Sequence, residues 1–200
     1  QAGSGAIVAD AGSTGDVIVT GKLDASNMSA GGVGGDVVLS GNRIGLSDTA
    51  RIDVSGDGDA GYAVIGGDSL HKIPGTKAAA LIDSVTFADA VQIDRGAQIM
   101  ARSVHGNGGF LETSGRYLNM QGQVDASAPN GKNGSWLIDP TDVTISTDED
   151  ANYTGPLGDG TFHWDTGVET AVVNNGSLVN ALNNGTDVTI TTASEGAATG

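Results

Sequence analysis

The hexapeptide GKLDAS at residues 21–26 recurs as ARIDVS at 50–55 and as GQVDAS at 122–127. Two further pairs of similar stretches are GDVIV (15–19) with GDVVL (35–39), and TDVTIST (141–147) with TDVTITT (186–192). The shared unit is a short strand of the form apolar-Asp-small-Ser, a glycine-rich turn and a second short strand. Because such units of roughly 20 to 30 residues bury their apolar side only against neighbouring units, they predict a solenoid of stacked strands. The predicted fold is all-β, a parallel β-helix.

Short alternating strands, separated by Gly, Asn, Asp and Ser, are predicted along most of the chain. The predicted strands cover 16–20, 36–40, 51–55, 62–66, 91–95, 98–102, 117–121, 123–127, 136–140, 142–146 and 187–191. At most one or two short helices are expected. One lies near 177–183, with Ser177 as the predicted cap and Gly185 as the predicted end. A weaker one covers 78–85.

The composition predicts an aliphatic core, because 38% of the residues are hydrophobic and only 4% are aromatic. The formal charge is −15, and residues 133–200 contain ten acidic residues and no Lys or Arg. This charge argues against nucleic acid and anionic membrane surfaces as partners. No apolar stretch approaches the roughly 18 residues of a membrane span, so membrane insertion is not expected. The absence of cysteine excludes disulfides and is compatible with export.

The stretch GGVGGDVVL at Gly31–Leu39 fits the nine-residue template of calcium-binding β-solenoids, with Val38 in the large apolar position. Each ion in such a solenoid is held by the loops of adjacent turns, and neither flanking stretch repeats the motif. We therefore expect a structural turn, followed by a strand whose Val38 points into the core, and no calcium site. Ile145 in the later strand is expected to point inward in the same way.

Parallel β-helices also carry polysaccharide lyases and hydrolases, whose sites need two or three carboxylates, or carboxylates with a basic residue, in one groove. Asp24, Asp53, Asp94 and Asp125 recur and form a candidate stack, with Arg95 beside one of them. Turn formation explains the same pattern, because Asp side chains accept hydrogen bonds from nearby backbone N–H groups. No catalytic residue is therefore assigned. Two carboxylates about 5 to 9 Å apart in an open groove would favour an enzyme.

Residues 148–167, DEDANYTGPLGDGTFHWDTG, interrupt the repeat and place aromatic residues among acidic ones. Exposed rings beside carboxylates suit the faces and hydroxyls of a sugar, and binding residues often lie on loops of a rigid scaffold. Tyr153, Phe162 and Trp164 are therefore the candidate ligand-binding residues. The alternative is that this excursion packs on the side of the protein and buries its own rings. Trp136 is expected in the core because it opens an apolar strand.

Metal chemistry has one weak candidate, His163 near Asp159 and Asp165. The other histidines, His71 and His105, lie in different predicted loops. An ordinary loop histidine is the simpler interpretation of His163, so no metal and no cofactor are assigned.

Three longer stretches resemble a known family: GNGGFLETSG (106–115), GQVDASAPNGKNGSWLIDPTDVTI (122–145) and LVNALNNGTDVTITT (178–192). They are similar to the β-helical repeat region of filamentous haemagglutinin-like exoproteins, the adhesins that Gram-negative bacteria export by two-partner secretion. The family patterns G-G-F-x-E-T-S-G and W-L-x-D-P-x-D-[VI]-T-I are matched, in this order, by Gly108–Gly115 and Trp136–Ile145.

The resemblance implies a right-handed parallel β-helix, secreted or displayed on the cell surface. Its implied role is an adhesive shaft that attaches to a host-cell or matrix glycan or protein receptor, or to neighbouring bacteria. It also implies export through an outer-membrane transporter. The secretion domain that the transporter recognises is expected outside this chain, because APNGKNG (128–134) departs from the family's Asn-Pro-Asn motif. The runner-up function is a β-helical carbohydrate-active enzyme.

One continuous domain, a fragment of a longer protein, is predicted, since the sequence begins with Gln1 and shows no leader. Residues 1–147 are expected to form the β-helix repeats. A single excursion loop is expected at 148–167, and further β-helix turns with the short helix are expected at 168–200.

Overall fold

A computed structural model describes residues 5–150, 153–162 and 171–192. In chain order their strands are β1 (Ala6–Asp10), β2 (Asp16–Val19), β3 (Lys22–Asp24), β4 (Asp36–Ser40), β5 (Arg43–Leu46), β6 (Arg51–Asp53), β7 (Tyr62–Ile65), β8 (Ala90–Ile93), β9 (Gln98–Met100), β10 (Phe110–Thr113), β11 (Tyr117–Met120), β12 (Gln123–Asp125), β13 (Ser135–Ile138), β14 (Thr144–Ser146), β15 (Ala171–Asn174) and β16 (Asp187–Ile190). The helices are α1 (Asn175–Asn183) and three short 3₁₀ helices at Ser69–Lys72, Ala78–Ala80 and Leu157–Asp159. All eleven predicted strands are present.

The described strands pair in parallel and build three sheets. Sheet A has the order β1-β4-β7-β10-β13-β16, sheet B the order β2-β5-β8-β11-β15-β14, and sheet C the order β3-β6-β9-β12. From β1 to β13 the successive strands enter sheets A, B and C in rotation, so each strand from β1 to β10 pairs with the third strand after it. The chain is therefore an all-β protein with parallel sheets, as predicted.

One cluster of buried aliphatic side chains is shared by all three sheets, because alternate residues of each strand point to it. In sheet A, Leu111 and Trp136 are neighbours in register, and both are fully buried in this cluster. The indole Nε1–H of Trp136 donates to Thr113 Oγ1 at 2.9 Å, which satisfies the polar atom of the ring. The prediction that Trp136 lies in the core is confirmed.

The connection between β7 and β8, residues 66–89, crosses the outer face of sheet A and is called the first excursion here. Val38 is buried beneath it, in a second apolar cluster with Leu70. The prediction that Val38 points into the main core is therefore wrong, because its neighbours Val37 and Leu39 occupy that side. The expectation of a single excursion also differs from the structure, which has this long connection as well.

Strand β14 lies at the end of sheet B, beyond β15, although it precedes β15 in the sequence. Ile145 is in register with Val173 but is 54% exposed, since the described chain places no strand on its other side. The expectation that Ile145 is buried is therefore wrong. The similar stretches 141–147 and 186–192 supply β14 of sheet B and β16 of sheet A, so their likeness does not correspond to stacking.

Helix α1 contains the whole predicted segment 177–183 and begins two residues earlier. Its cap is Asn174, whose Oδ1 accepts from the Gly176 N–H at 2.9 Å, so the assignment of Ser177 as the cap is wrong. Ser177 instead donates its Oγ–H to the Gln121 carbonyl at 3.2 Å. In the weaker segment 78–85 only three residues are helical, as a 3₁₀ turn.

Candidate functional site

The Gly31–Leu39 motif forms a turn and a strand. Gly31 has φ +69°, a left-handed conformation that favours glycine. Asp36, the acidic position of the calcium template, is buried, and its Oδ2 accepts hydrogen bonds from the backbone N–H groups of Lys77 and Ala78. This carboxylate therefore anchors the first excursion, which supports the interpretation of the motif as a structural turn.

In residues 5–150, 153–162 and 171–192, no group of three or more His, Cys, Asp or Glu side chains is placed to hold a metal ion. His105 forms a single pair, with Nδ1 at 3.1 Å from Asp57 Oδ1. His163 and Asp165 of the metal hypothesis lie outside the described residues.

Asp24, Asp53 and Asp125 form tight turns at the ends of strands of sheet C. Oδ1 of each accepts a hydrogen bond from the backbone N–H two residues on, at 3.0, 3.1 and 3.0 Å respectively. The predicted turn-forming role of these three residues is confirmed.

The candidate stack of carboxylates is only partly formed. Asp24 and Asp53 are neighbours in register, but Met100 follows them, and Asp94 lies at the end of a strand of sheet B. Lys22 Nζ lies 2.7 Å from an Asp24 oxygen and 3.7 Å from an Asp53 oxygen. The hydrogen bond from Lys22 is the largest cause that lowers the pKa of Asp24 to about 2. Such a carboxyl group is ionised near neutral pH and is unsuited to act as a general acid.

The connection between β14 and β15, residues 147–170, is called the second excursion. Its described residues, 147–150 and 153–162, pack on the outer face of sheet B. Leu157 is buried against Gly45, where a Cβ atom would lie 2.6 Å from Leu157 Cδ1. The Leu157 N–H donates to Asp94 Oδ2 at 2.8 Å. Burial raises the pKa of Asp94. This carboxyl group therefore holds the excursion on the sheet.

Other side chains at the ends of sheet B also contact the second excursion. Gln92 Nε2 donates to the Gly155 carbonyl at 3.0 Å, and Arg95 Nη2 lies 3.7 Å from Glu149 Oε1. Arg95, the basic residue of the enzyme alternative, is thus turned toward the excursion and away from the carboxylates of sheet C.

The candidate aromatic residues have different surroundings. Tyr153 is half-buried, and burial raises the pKa of its hydroxyl to about 12. Phe162 packs against Tyr117, and its ring centroid lies 5.0 Å from Arg43 Cζ, a cation–π distance. Trp164 lies outside the described residues. The packing of Phe162 fits the alternative that the excursion buries its own rings. Tyr153 keeps part of its surface exposed, and Trp164 stays a prediction.

Glu112 is a buried acidic residue that the sequence patterns did not single out. It lies on the outer face of sheet A beside the first excursion and is 1% exposed. Its carboxylate accepts from the Ser114 Oγ–H at 3.1 Å, and from both the backbone N–H (3.3 Å) and the hydroxyl of Ser69. Burial raises the pKa of Glu112. The sequence could have indicated that Glu112 points outward, because it lies between Leu111 and Thr113, which point inward.

Sheet C differs from the other two sheets because the described part of the chain leaves its outer face open. The described parts of the excursions pack on sheets A and B, whereas the outward side chains of β9 and β12 stay partly exposed. Two shallow grooves, of about 230 and about 310 Å³, lie on this side of the protein. Arg102 lines both grooves and is exposed. The only feature of the sequence that singles out Arg102 is its position shortly after the alternating strand β9.

Comparison of the sequence with protein-family models and with curated proteins gave no match. Within the described part of the chain, no helix is long and apolar enough to cross a membrane. The fold and the surface together define an all-β protein of three parallel sheets, in which the described residues cover two outer faces and leave one polar face open.

Proposed function

We propose that this chain is a segment of a right-handed parallel β-helix, and that it serves as the adhesive shaft of a secreted surface adhesin of a Gram-negative bacterium. The observation that carries the proposal is the rotation of successive strands through three parallel sheets from β1 to β13. Repeated units of this kind extend a protein along one axis, because each strand pairs with a counterpart about 4.8 Å away. A stiff, elongated scaffold is suited to holding binding groups away from a cell.

The two motifs of the family resemblance supply neighbouring strands of sheet A. Gly108–Gly115 contains β10, Trp136–Ile145 begins within β13, and Leu111 stacks in register on Trp136. The motif residues thus have a packing role that stacked units would require. This agreement supports the resemblance, from which the surface location, the outer-membrane transporter and the adhesive role are inferred.

The receptor in this proposal is a glycan or protein of a host cell or matrix, or a neighbouring bacterium. The second excursion carries the candidate residues Tyr153, Phe162 and Trp164, of which Phe162 is packed on sheet B. Attachment through this loop therefore depends chiefly on Tyr153 and Trp164.

A β-helical polysaccharide lyase or hydrolase is the alternative function. It needs carboxylates in one groove, with one protonated or one paired to a base. Asp24 and Asp53 share Lys22, and Asp94 accepts the Leu157 N–H beneath the second excursion. These contacts assign structural roles to Asp24, Asp53 and Asp94, which favours the adhesin over the enzyme.

Attachment and polysaccharide cleavage by the purified chain test the proposal. Immobilised protein should bind cells or glycans saturably, and the double variant Tyr153→Ala/Trp164→Ala should reduce this attachment without changing the melting temperature. Release of shortened or unsaturated oligosaccharides from a polysaccharide would instead support the enzyme.

A further inference from the structure

We propose that the outer face of sheet C around Arg102 is a binding site for a carboxylated saccharide, a glycan that contains uronic-acid-type sugars. The site, called the Arg102 groove, combines the two shallow grooves that Arg102 lines. One lies along β9 and β12 beside Gln98, Gln123 and Asp125, and the other lies at the strand ends beside Met28 and Val104.

The first step concerns the cations of this face. Lys22 is paired with Asp24 and Asp53, and the Arg51 guanidinium donates to backbone carbonyl groups, including that of Gly96 at 2.8 Å. Among the described residues, Arg102 forms no ion pair, and its side chain is exposed. A guanidinium group in this condition can receive a carboxylate through two parallel hydrogen bonds.

The second step concerns the neighbours of Arg102. Gln98, Gln123 and Asp125 are partly exposed and supply amide and carboxylate groups, which exchange hydrogen bonds with hydroxyl groups. Met28 is 56% exposed and Val104 is 37% exposed, so both offer apolar surface to the C–H faces of a sugar ring. A carboxylate acceptor beside a cation and apolar patches fits a ligand that has hydroxyls, C–H faces and one negative group.

The third step separates a saccharide from an extended peptide. A peptide that adds a strand needs free backbone N–H and C=O groups. The backbones of β9 and β12 pair with each other, and α1 lies beside β12, where Asn180 Nδ2 donates to Gln123 Oε1 at 2.7 Å. The face therefore presents side chains and no open sheet edge at this place.

The fourth step concerns the density of charge on the ligand. The chain has a formal charge of −15, which repels a densely sulfated polymer. A single guanidinium pairs with the one carboxylate that each uronic-acid ring carries. The ligand class is therefore carboxylated rather than highly sulfated. This inference deepens the proposed function by naming a ligand, but it places that ligand on sheet C and away from the second excursion.

The test uses the full chain and NMR titration with tetragalacturonate, its methyl ester and a peptide of alternating Asp and Ser as probes. Tetragalacturonate should shift the side-chain amide signals of Gln98 and Gln123. Arg102→Gln should weaken its binding at least about tenfold, because a charged hydrogen-bonded contact is lost. The matched control Arg95→Gln removes an exposed arginine on the sheet B side and should leave binding unchanged. Both variants should melt like the wild type.

Several outcomes would overturn the inference: equal binding by the wild type and Arg102→Gln, equal binding of the acid and its methyl ester, tighter binding of the peptide, or no binding of tetragalacturonate. Cell attachment by the wild type without tetragalacturonate binding would contradict this site and leave the adhesin proposal standing. Binding of tetragalacturonate without any cell attachment would support this site and contradict the adhesin proposal.

Discussion

Individual buried polar residues decide how the excursions are held on the sheets. Asp36 accepts two backbone N–H groups of the first excursion, and Glu112 accepts the backbone N–H of Ser69 in the same segment. Asp94 has the same role for Leu157 in the second excursion. These carboxylates accept hydrogen bonds from backbone N–H groups that would otherwise be buried without partners. Each such unpaired group would destabilise the fold by about 1 to 3 kcal/mol.

Glu112→Gln should make the stability of the protein less dependent on pH. Burial raises the pKa of Glu112 above its usual 4.5, so the stability gained from its protonated form is complete below pH 4.5 and is lost as pH rises through the raised value. The variant should therefore gain stability relative to the wild type between pH 4.5 and 7, measured by urea unfolding. The control Glu149→Gln changes an exposed carboxylate. A difference between Glu112→Gln and the wild type that does not vary with pH would contradict the assignment.

Thr113→Val should destabilise the core by about 1 to 3 kcal/mol, because it leaves the buried indole N–H of Trp136 without its acceptor. In a Trp136→Phe background the same change should cost much less, since the donor is already absent. A double-mutant cycle by urea unfolding measures this coupling. Equal costs of Thr113→Val in both backgrounds would show that the hydrogen bond contributes nothing.

At the scale of elements, one strand serves two apolar clusters. In β4, Val37 and Leu39 join the main core, and Val38 joins the cluster beneath the first excursion. The strand is therefore buried on both faces, which is typical of parallel sheets covered by other elements.

Val37→Asp and Val38→Asp form a matched pair that separates the sheets from the first excursion. Val37→Asp places an unpaired charge in the main core and should prevent folding. Val38→Asp should release residues 66–89 while the strands persist. Far-ultraviolet circular dichroism and limited proteolysis check both outcomes, with new cleavage expected within 66–89 only in Val38→Asp. Complete unfolding of Val38→Asp would show that the excursion and the sheets form one cooperative unit.

At the scale of the whole molecule, three sheets share one aliphatic core, and the described residues cover two of their three outer faces. The edge of sheet C at β12 is flanked by α1, which limits pairing with another strand there. The open face of sheet C is the surface on which a ligand meets the least obstruction from the described chain.

Removal of calcium should leave the whole fold intact. The carboxylate of Asp36 is occupied by backbone N–H groups, so the Gly31–Leu39 motif needs no ion for its structure. The melting temperature in chelator should stay within about 1 °C of its value in millimolar calcium. A fall of tens of degrees would show that calcium links the turns after all.

The sequence by itself determined eleven of the sixteen described strands, the aliphatic core, the turn-forming role of Asp24, Asp53 and Asp125, and the burial of Trp136. These features follow from local alternation and from hydrogen bonds that span two residues. Both patterns can be recognised within a few consecutive positions of the sequence. The signals are strongest where one face of a strand is polar, as in the hexapeptide repeats.

Only the tertiary structure decided the direction of Val38, the exposure of Ile145, the partners of Asp36 and Glu112, and the open position of Arg102. An uninterrupted apolar run such as VVL (37–39) has no polar face to fix its direction, because both faces are buried. Its outer cover comes from residues about 40 positions later, and the exposure of Ile145 depends on β15 taking the place beside β11. Such long-range contacts depend on which segments meet in the folded protein, and the local sequence pattern does not predict them.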